Sequence, residues 1–454
     1  MRASRFRWVV IGLLFFITVV NYIDRSAISY AVDEIAGVFD LSSNSVGLIL
    51  GAFGIGYLVT TFLGGIWTDR YGARKTLLFA SLLWSLAIGA TGLATGFAML
   101  FAARIVLGVA EGPNFPAMNR VVADWLSRNE RAIALSNALV AVPLALAIGA
   151  PLVTFLMVML GWRGMFLVLT GLGLLWVPVW WFWFRDFPEH SPHVNEGEME
   201  KIRGGGRRHR ADEGAVHARR RNVRGLWRFL LTNPTLMANN WAFFVFGYYL
   251  FFFMTWMPSW LSRTYGMDLK SIGVFSILPW LFAAVLLLAT GRISDALLKR
   301  TGRLRAARSH PIWISQLLAA LSIVPVLFTH SEFLALLFVS LAVGFGMSAN
   351  AAFYAVNADV APARSGTALG VMDAFFAVAG FAAPAVTGWL VDLTGHFNAA
   401  FWLMAALSLS SVVVVLLFHH PDRSRRLVDN WQYGAPPAET PEAWSRFRAD
   451  GPSI

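Results

Sequence analysis

Gly65-Ile66-Trp67-Thr68-Asp69-Arg70-Tyr71-Gly72-Ala73-Arg74-Lys75 lies between two long apolar blocks. A shortened copy follows in the second half: Gly291-Arg292-Ile293-Ser294-Asp295, then Lys299-Arg300-Thr301-Gly302-Arg303. A second echo keeps the same order. Arg131 to Pro151, then Gly161-Trp162-Arg163, is paralleled by Arg364 to Pro384, then Gly395-His396-Phe397. Two copies of one long pattern point to a duplicated unit. In the first copy, Gly72 suits a tight turn and Gly65 a close approach of two helices. Asp69 with Arg70, Arg74 and Lys75 can form a surface charge cluster that breaks when two units move apart. A plainer reading stands beside it, in which the basic residues only anchor the loop.

Outward from this loop, the flanking blocks read as membrane spans. Apolar residues are 57% of 454 and charged residues 14%, with mean hydropathy +0.59; a soluble domain carries roughly 25% charged residues. Leu77–Leu93 and Leu403–Phe418 contain no charge, and a spanning helix needs about 20 apolar residues. Unpaired backbone groups are costly in hydrocarbon, so such blocks must be helical. The pattern predicts an all-α membrane protein with twelve transmembrane helices, near 8–33, 44–67, 76–94, 97–119, 132–158, 163–184, 236–262, 271–297, 309–329, 332–355, 365–391 and 397–419. It predicts a six-helix bundle over 1–184, a linker over 185–230, a second six-helix bundle over 231–419 and a tail over 420–454. Arg2, Arg5 and Arg7 precede the first block as in a signal peptide, but no small-residue cleavage site follows, so it reads as a retained helix.

All but five of the 37 Lys and Arg lie at the termini or in the loops after helices 2, 4, 6, 8 and 10; the five are Arg25, Arg104, Arg163, Arg263 and Lys270. Basic loops stay inside, which predicts both termini in the cytoplasm of an inner-membrane protein. The same asymmetry accounts for the net charge of +11, so nucleic acid is not an expected partner. Cysteine is absent, which excludes disulfides and thiol chemistry. The histidines have no metal-ligand spacing, and no nucleophile elbow or phosphate loop occurs, so no enzyme, metal or cofactor is expected. The bilayer is an expected partner and a monomer the expected state. The linker, with Pro188, Pro192, Gly204–Gly206 and many Arg, reads as partly disordered. Its run Arg207-Arg208-His209-Arg210 is either solvated or a contact for anionic lipid. The aromatic runs Trp176–Phe184 and Phe251–Trp260 read as interfacial belt and lipid-facing surface. Pro143, Pro151 and Pro384 mark expected bends.

Charged residues inside spans are the functional candidates, because each costs about 2.5–3.5 kcal/mol to insert. Helix 1 carries Asp24-Arg25, and helix 4 carries Arg104 and Glu111. Arg104, Gly108 and Glu111 recur at i, i+4 and i+7, so they share a face. The helices run in opposite directions at about 1.5 Å per residue, which places two acids and two bases at similar depth in one cavity. Arg offers a bidentate fork to a carboxylate, and a buried carboxyl has a tunable proton affinity. Salt bridges that only fix helix packing are the alternative.

These stretches resemble a known family. The loop Gly65 to Lys75 is similar to the signature loop of the major facilitator superfamily, and the likeness runs from helix 1 to helix 12. It implies two six-helix halves that rock around a central site. Within that superfamily, Asn21-Tyr22-Ile23-Asp24-Arg25 and Arg104-Ile-Val-Leu-Gly108-Val-Ala-Glu111-Gly-Pro113-Asn-Phe115-Pro116 resemble the anion:cation symporter group. That group includes proton-coupled carriers of galactonate, glucarate, hexuronates and aromatic carboxylates. The resemblance implies that Arg25 holds the substrate carboxylate, Asp24 and Glu111 carry protons, and Arg104 couples them. It implies a pocket lined by Tyr22, Tyr57 and Tyr354, and a gate formed by Asp69, Arg70 and Arg74. Proton coupling fits the energetics, since an inside-negative potential opposes anion entry by about 2.3 kcal/mol per charge per 100 mV.

The second half departs from the sugar-acid pattern. Where those members carry Gln in helix 5, Gln in helix 7 and Asn in helix 11, this chain aligns Val142, Phe243 and Asp373. Polyhydroxylated substrates need amide partners, and Phe243 suits a flatter carboxylate. A one-turn slip would bring in Asn137, or Asn239 and Asn240. For Asp373 the sequence leaves open a contact with a substrate amino group or hydroxyl, a third proton site, and a wet carboxyl near the cytoplasmic mouth. An organophosphate antiporter on the same fold uses a second Arg in helix 7, yet Leu236–Ser262 has no Lys or Arg. A sensor that kept the fold and lost transport also stays open.

Overall fold

The computed structural model describes residues 3–204 and 223–424, and every regular element among them is helical. Helix 1 is Phe6–Phe39, helix 2 Ser43–Tyr71 and helix 3 Ala73–Gly92. Helix 4 runs Phe97–Glu111 and resumes as Asn114–Trp125, interrupted where Pro113 lacks an N–H for the ladder. One helical run, Arg128–Trp183, contains helices 5 and 6 and turns at Gly161, whose φ of 68° favours glycine. Helix 7 is Pro234–Tyr265; helix 8 runs Leu269–Phe275 and then Ile277–Thr301. Helix 9 is His310–Ile323, entered through a π turn at Arg305–Ser309. Helix 10 runs Glu332–Ser348 and Asn350–Val360, helix 11 Ser365–Thr394 and helix 12 Asn398–Phe418. Ten of these runs are individually long and apolar enough to span a bilayer; splitting the run at Gly161 and joining the two parts of helix 4 makes twelve.

Local chemistry sets many ends. The side chains of Ser42, Asn233, Asp268 and Ser331 accept the first amides of helices 2, 7, 8 and 10. Helix 1 has no local cap. The carboxylate of Glu198, in a short linker helix Glu196–Gly204, accepts the amides of Phe6 and Arg7 at 3.0 Å each. Arg7 in turn pairs with Glu198 and with Glu130, both at 2.9 Å. Two parts of the linker are built into the fold. Glu196–Gly204 and Val223–Thr232 are helical and Glu198 is buried, because helix 1 supplies donors that solvent would otherwise have to replace. The basic run Arg207–Arg210 lies outside the described residues. The tail also begins tied down: Asp422 accepts the amides of Leu304 and Arg305, as Asp186 accepts that of Arg74 in the first half.

The two signature loops are structurally alike. Gly72 and Gly302 both take positive φ, 82° and 64°, at the turn after helices 2 and 8. Gly65 does not play its expected part. A Cβ there would meet open space, whereas one on Gly64 would lie 2.5 Å from the Pro113 Cα; the packing face sits one residue earlier than the loop spacing suggests.

Helices 1–6 pack on one another, as do helices 7–12, and the groups meet where helix 2 lies along helix 11, helix 1 along helix 7 and helix 5 along helix 8. These contacts close the face opposite the chain ends. Asp33 accepts Ser259 Oγ at 2.8 Å and pairs with Arg263 at 2.8 Å; Arg263 also donates to Ser43, and the Asn44 amide to Asp392. On the face carrying the chain ends, the ion pairs among the described residues stay within one half or involve the linker. Exposed Phe79, Phe155, Leu175 and Phe182 cover the outside of the bundle, as lipid-facing surface should. The run Phe251–Trp260 does not belong to that surface. All its large side chains are buried, and Trp256 donates to Pro384 O at 3.1 Å, because helix 7 lies between helices 1, 11 and 12. Trp176–Phe184 divides: Trp176, Trp180 and Phe184 are buried, while Phe182 and Trp183 face outward.

Candidate functional site

The charged residues of helices 1 and 4 meet, as their spacing predicts. Arg25 donates from Nε at 2.9 Å and from Nη2 at 2.7 Å to one oxygen of Glu111, with side-chain exposures of 1% and 0%. Three rings surround the same guanidinium: its Cζ lies 4.5 Å from the Tyr22 ring centre, 4.4 Å from Phe53 and 5.2 Å from Tyr57. Cation–π attraction of this kind is strongest when desolvated. Arg104 stands behind, donating weakly to the Arg25 carbonyl at 3.4 Å and lying 5.5 Å from Phe53. Phe53 was not legible as a site residue; its position one turn before Tyr57 on helix 2 is the only signal the chain carries.

Bonding capacity is left over. Arg25 Nη1, Arg104 Nε, Glu111 Oε1 and both Asp24 oxygens are buried with no hydrogen-bond partner among the described residues. Asp24, which the sequence places beside Arg25, is not brought into an ion pair with either arginine. An ionised carboxyl without a donor is costly in a dry interior, and a bound proton removes that cost.

The second half faces this cluster with aromatic surface. Phe243 stacks on Phe246 and Phe376 and meets the Tyr354 ring edge-on at 5.8 Å. Asp373 is partly exposed on helix 11, one turn before the Phe376 that stacks on Phe243. Val142 is buried in helix 5. Asn239 and Asn240 are buried too, and Asn239 Nδ2 is used on Phe353 O and Met372 Sδ. The side chain of Asn137 lies outside the described set.

The expected gating residues part company. Asp69 pairs with Arg120, which also holds Asp124 at 2.7 Å. Arg74 turns to Asp186, through its amide, and to the Trp181 ring, 4.0 Å away. Arg70 lies over Tyr71. Sequence reasoning missed Arg120, whose reach across to Asp69 depends on the break in helix 4. In the second half Arg308 takes the same place between Asp295 and Asp359. No cluster of metal-ligating side chains occurs among the described residues.

The Major Facilitator Superfamily profile matches residues 14–309 and 301–452. The chain belongs to that superfamily. A hexuronate transporter of Bacillus subtilis (strain 168) is 33% identical over 426 residues, covering 91% of this chain and 94% of that protein. A probable galactarate/D-glucarate transporter of the same organism is 31% identical over 425 residues, covering 91% and 92%. The crystal structure of a D-xylose-proton symporter superposes with a TM-score of 0.72 at 16% identity, over 92% of this chain and 99% of that one, a likeness of fold. This superfamily member is a multi-pass membrane transporter, not an enzyme.

Proposed function

We propose that this transporter takes up an organic carboxylate together with protons, its two halves rocking about the cavity between Arg25 and Tyr354. The observation that carries the reading is the Arg25–Glu111 pair. Arg25 is the caged cation a carboxylate would seek, and Glu111 already occupies it. Substrate and Glu111 therefore compete for one guanidinium. A proton on Glu111 frees Arg25 for the substrate; loss of that proton returns Glu111 to Arg25 and expels the substrate. Asp24, unpaired in a dry site, is a second proton carrier, and Arg104, which donates to the Arg25 carbonyl, is the coupling residue beside them.

Relatives named for hexuronate and for galactarate/D-glucarate support a sugar acid or related organic anion. The cluster of Phe243, Phe246, Phe376 and Tyr354 favours a flatter, more apolar carboxylate as the second reading. The arginine-rich face is the cytoplasmic face of the inner membrane, so both termini are cytoplasmic and the described state opens inward. The helices divide into bundles at the linker, and Asp69, Arg70 and Arg74 serve the cytoplasmic gate, Asp69 through Arg120.

Glu111→Gln in proteoliposomes is the test, with D-glucuronate as substrate. The variant should lose proton-driven uphill uptake and keep downhill exchange. Uphill uptake at the original rate would remove Glu111 from the coupling mechanism.

A further inference from the structure

The two halves bring chemically unlike walls to the site. At the first-half end, Arg25 sits among Tyr22, Phe53 and Tyr57, with Nη1 unspent. At the second-half end lies Asp373, on helix 11 one turn before Phe376, which shares the Phe243 ring with Tyr354. Helix 11 packs on helix 2 here, where a Cβ on Gly54 would lie 2.8 Å from Ala377 O; Asp373, one turn before Ala377, therefore sits at the level of Tyr57, one turn after Gly54, and has no ion-pair partner among the described residues. Helix 7 brings Phe243 and Phe246 to this wall and no cation, since Leu236–Ser262 contains neither Lys nor Arg. A carboxylate accepts at about four lone-pair positions, and no cation among the described residues donates to those of Asp373.

We propose that Asp373 reads the far end of the substrate and makes the site selective for monocarboxylates with a hydrogen-bond donor, a hydroxyl or ammonium, opposite the carboxylate. This rests on the carboxylate reading above, in which Arg25 takes the acid group. A far-end hydroxyl or ammonium donates to Asp373, and the tyrosine rings suit an ammonium. A far-end methyl leaves the acceptor unpaired in a confined site, which is costly. A second carboxylate there meets like charge with no cation to offset it. The wall therefore rejects dicarboxylates on the skeleton whose monocarboxylate it accepts. This separates the chain from its relative named for galactarate/D-glucarate, although the overall identity does not.

The experiment measures binding to purified full-length protein by calorimetry, with probes matched at the carboxylate end: D-gluconate, D-glucarate, 6-aminohexanoate and hexanoate. The wild type should bind D-gluconate about tenfold or more tighter than D-glucarate, and 6-aminohexanoate about tenfold tighter than hexanoate. Asp373→Asn keeps the shape and removes the charge; it should recover D-glucarate binding and lose the preference for the ammonium. Asp373→Ala should erase both preferences while leaving carboxylate binding sensitive to Arg25→Gln. Unchanged preferences in both Asp373 variants, or no preference in the wild type, overturn the assignment and leave Arg25 untouched. If no probe binds the wild type, or if binding ignores Arg25→Gln, the carboxylate reading itself fails and this inference falls with it.

Discussion

At the scale of single residues, burial decides what a charge can do. Arg25 and Glu111 stand out in the sequence because each interrupts an apolar helix, and such an interruption persists only with a partner or a task. Removing one member of a buried pair strands the other, at about 3–5 kcal/mol. Glu198 is the opposite case. In the sequence it is one acid in a charged linker; in the structure it is buried and caps helix 1. Burial pushes its carboxyl up, but hydrogen bonds from Ser4, from the Phe6 and Arg7 amides and from the Arg7 side chain outweigh that and hold it below its ordinary value of 4.5. A carboxyl lowered in the folded state gives its full stabilisation above the ordinary value and loses it as pH falls through the lowered one. The protection of the Glu196–Gly204 amides against hydrogen exchange, relative to an unstructured peptide at the same pH, should thus be high at neutral pH and fall in acid as pH drops below the ordinary value of 4.5. Glu198→Gln should show the acid behaviour at neutral pH, and equal protection in the variant would mean that other contacts hold the linker helix. No local pattern announces this, since its donors lie about 190 residues away.

Elements are placed by how closely their backbones can approach. Helix 2 lies along helix 11 through Gly47 and Gly51. A Cβ on Gly47 would fall 2.6 Å from Pro384 O, and one on Gly51 2.7 Å from Phe381 O. Both clashes are with backbone, which cannot rotate aside. Gly51→Val should therefore wedge the two halves apart at the closed face and favour the outward-open state. Maleimide labelling of a cysteine introduced at Asn44 should rise severalfold in that variant; labelling at the parent rate would show that the helices separate without cost. The membrane-spanning helices were legible, because apolar run length speaks for itself. The break at Ser276 was not, since apolar composition continues across it. Nor was the burial of helix 7: a helix apolar on every side looks the same in a protein core and in lipid.

For the whole molecule, the described state is one of at least two that a carrier must visit. The link holding it is the Asp33–Arg263 pair, with Ser259, Ser43 and Asp392 beside it, all joining the two halves. Each member is about 37% exposed, so the pair is weak enough to open in the transport cycle. The natural chain has no cysteine, so Asp33→Cys with Arg263→Cys gives a clean cross-linking pair. A short thiol cross-linker should stop transport, and cleaving a reducible version should restore it; undiminished transport by cross-linked protein would show that this face need not open. The sequence by itself determined that the chain crosses the membrane in two repeated halves, and which charged residues lie inside its helices. Both follow from one-dimensional facts: the length of apolar runs, the recurrence of a loop, and the cost of charge in hydrocarbon. Tertiary structure alone decided who pairs with whom. Glu111 rather than Asp24 holds Arg25, Arg120 rather than Arg74 holds Asp69, and Asp373 sits at the level of Tyr57 of the other half, because partner choice depends on helix rotation and tilt, which packing sets and spacing does not.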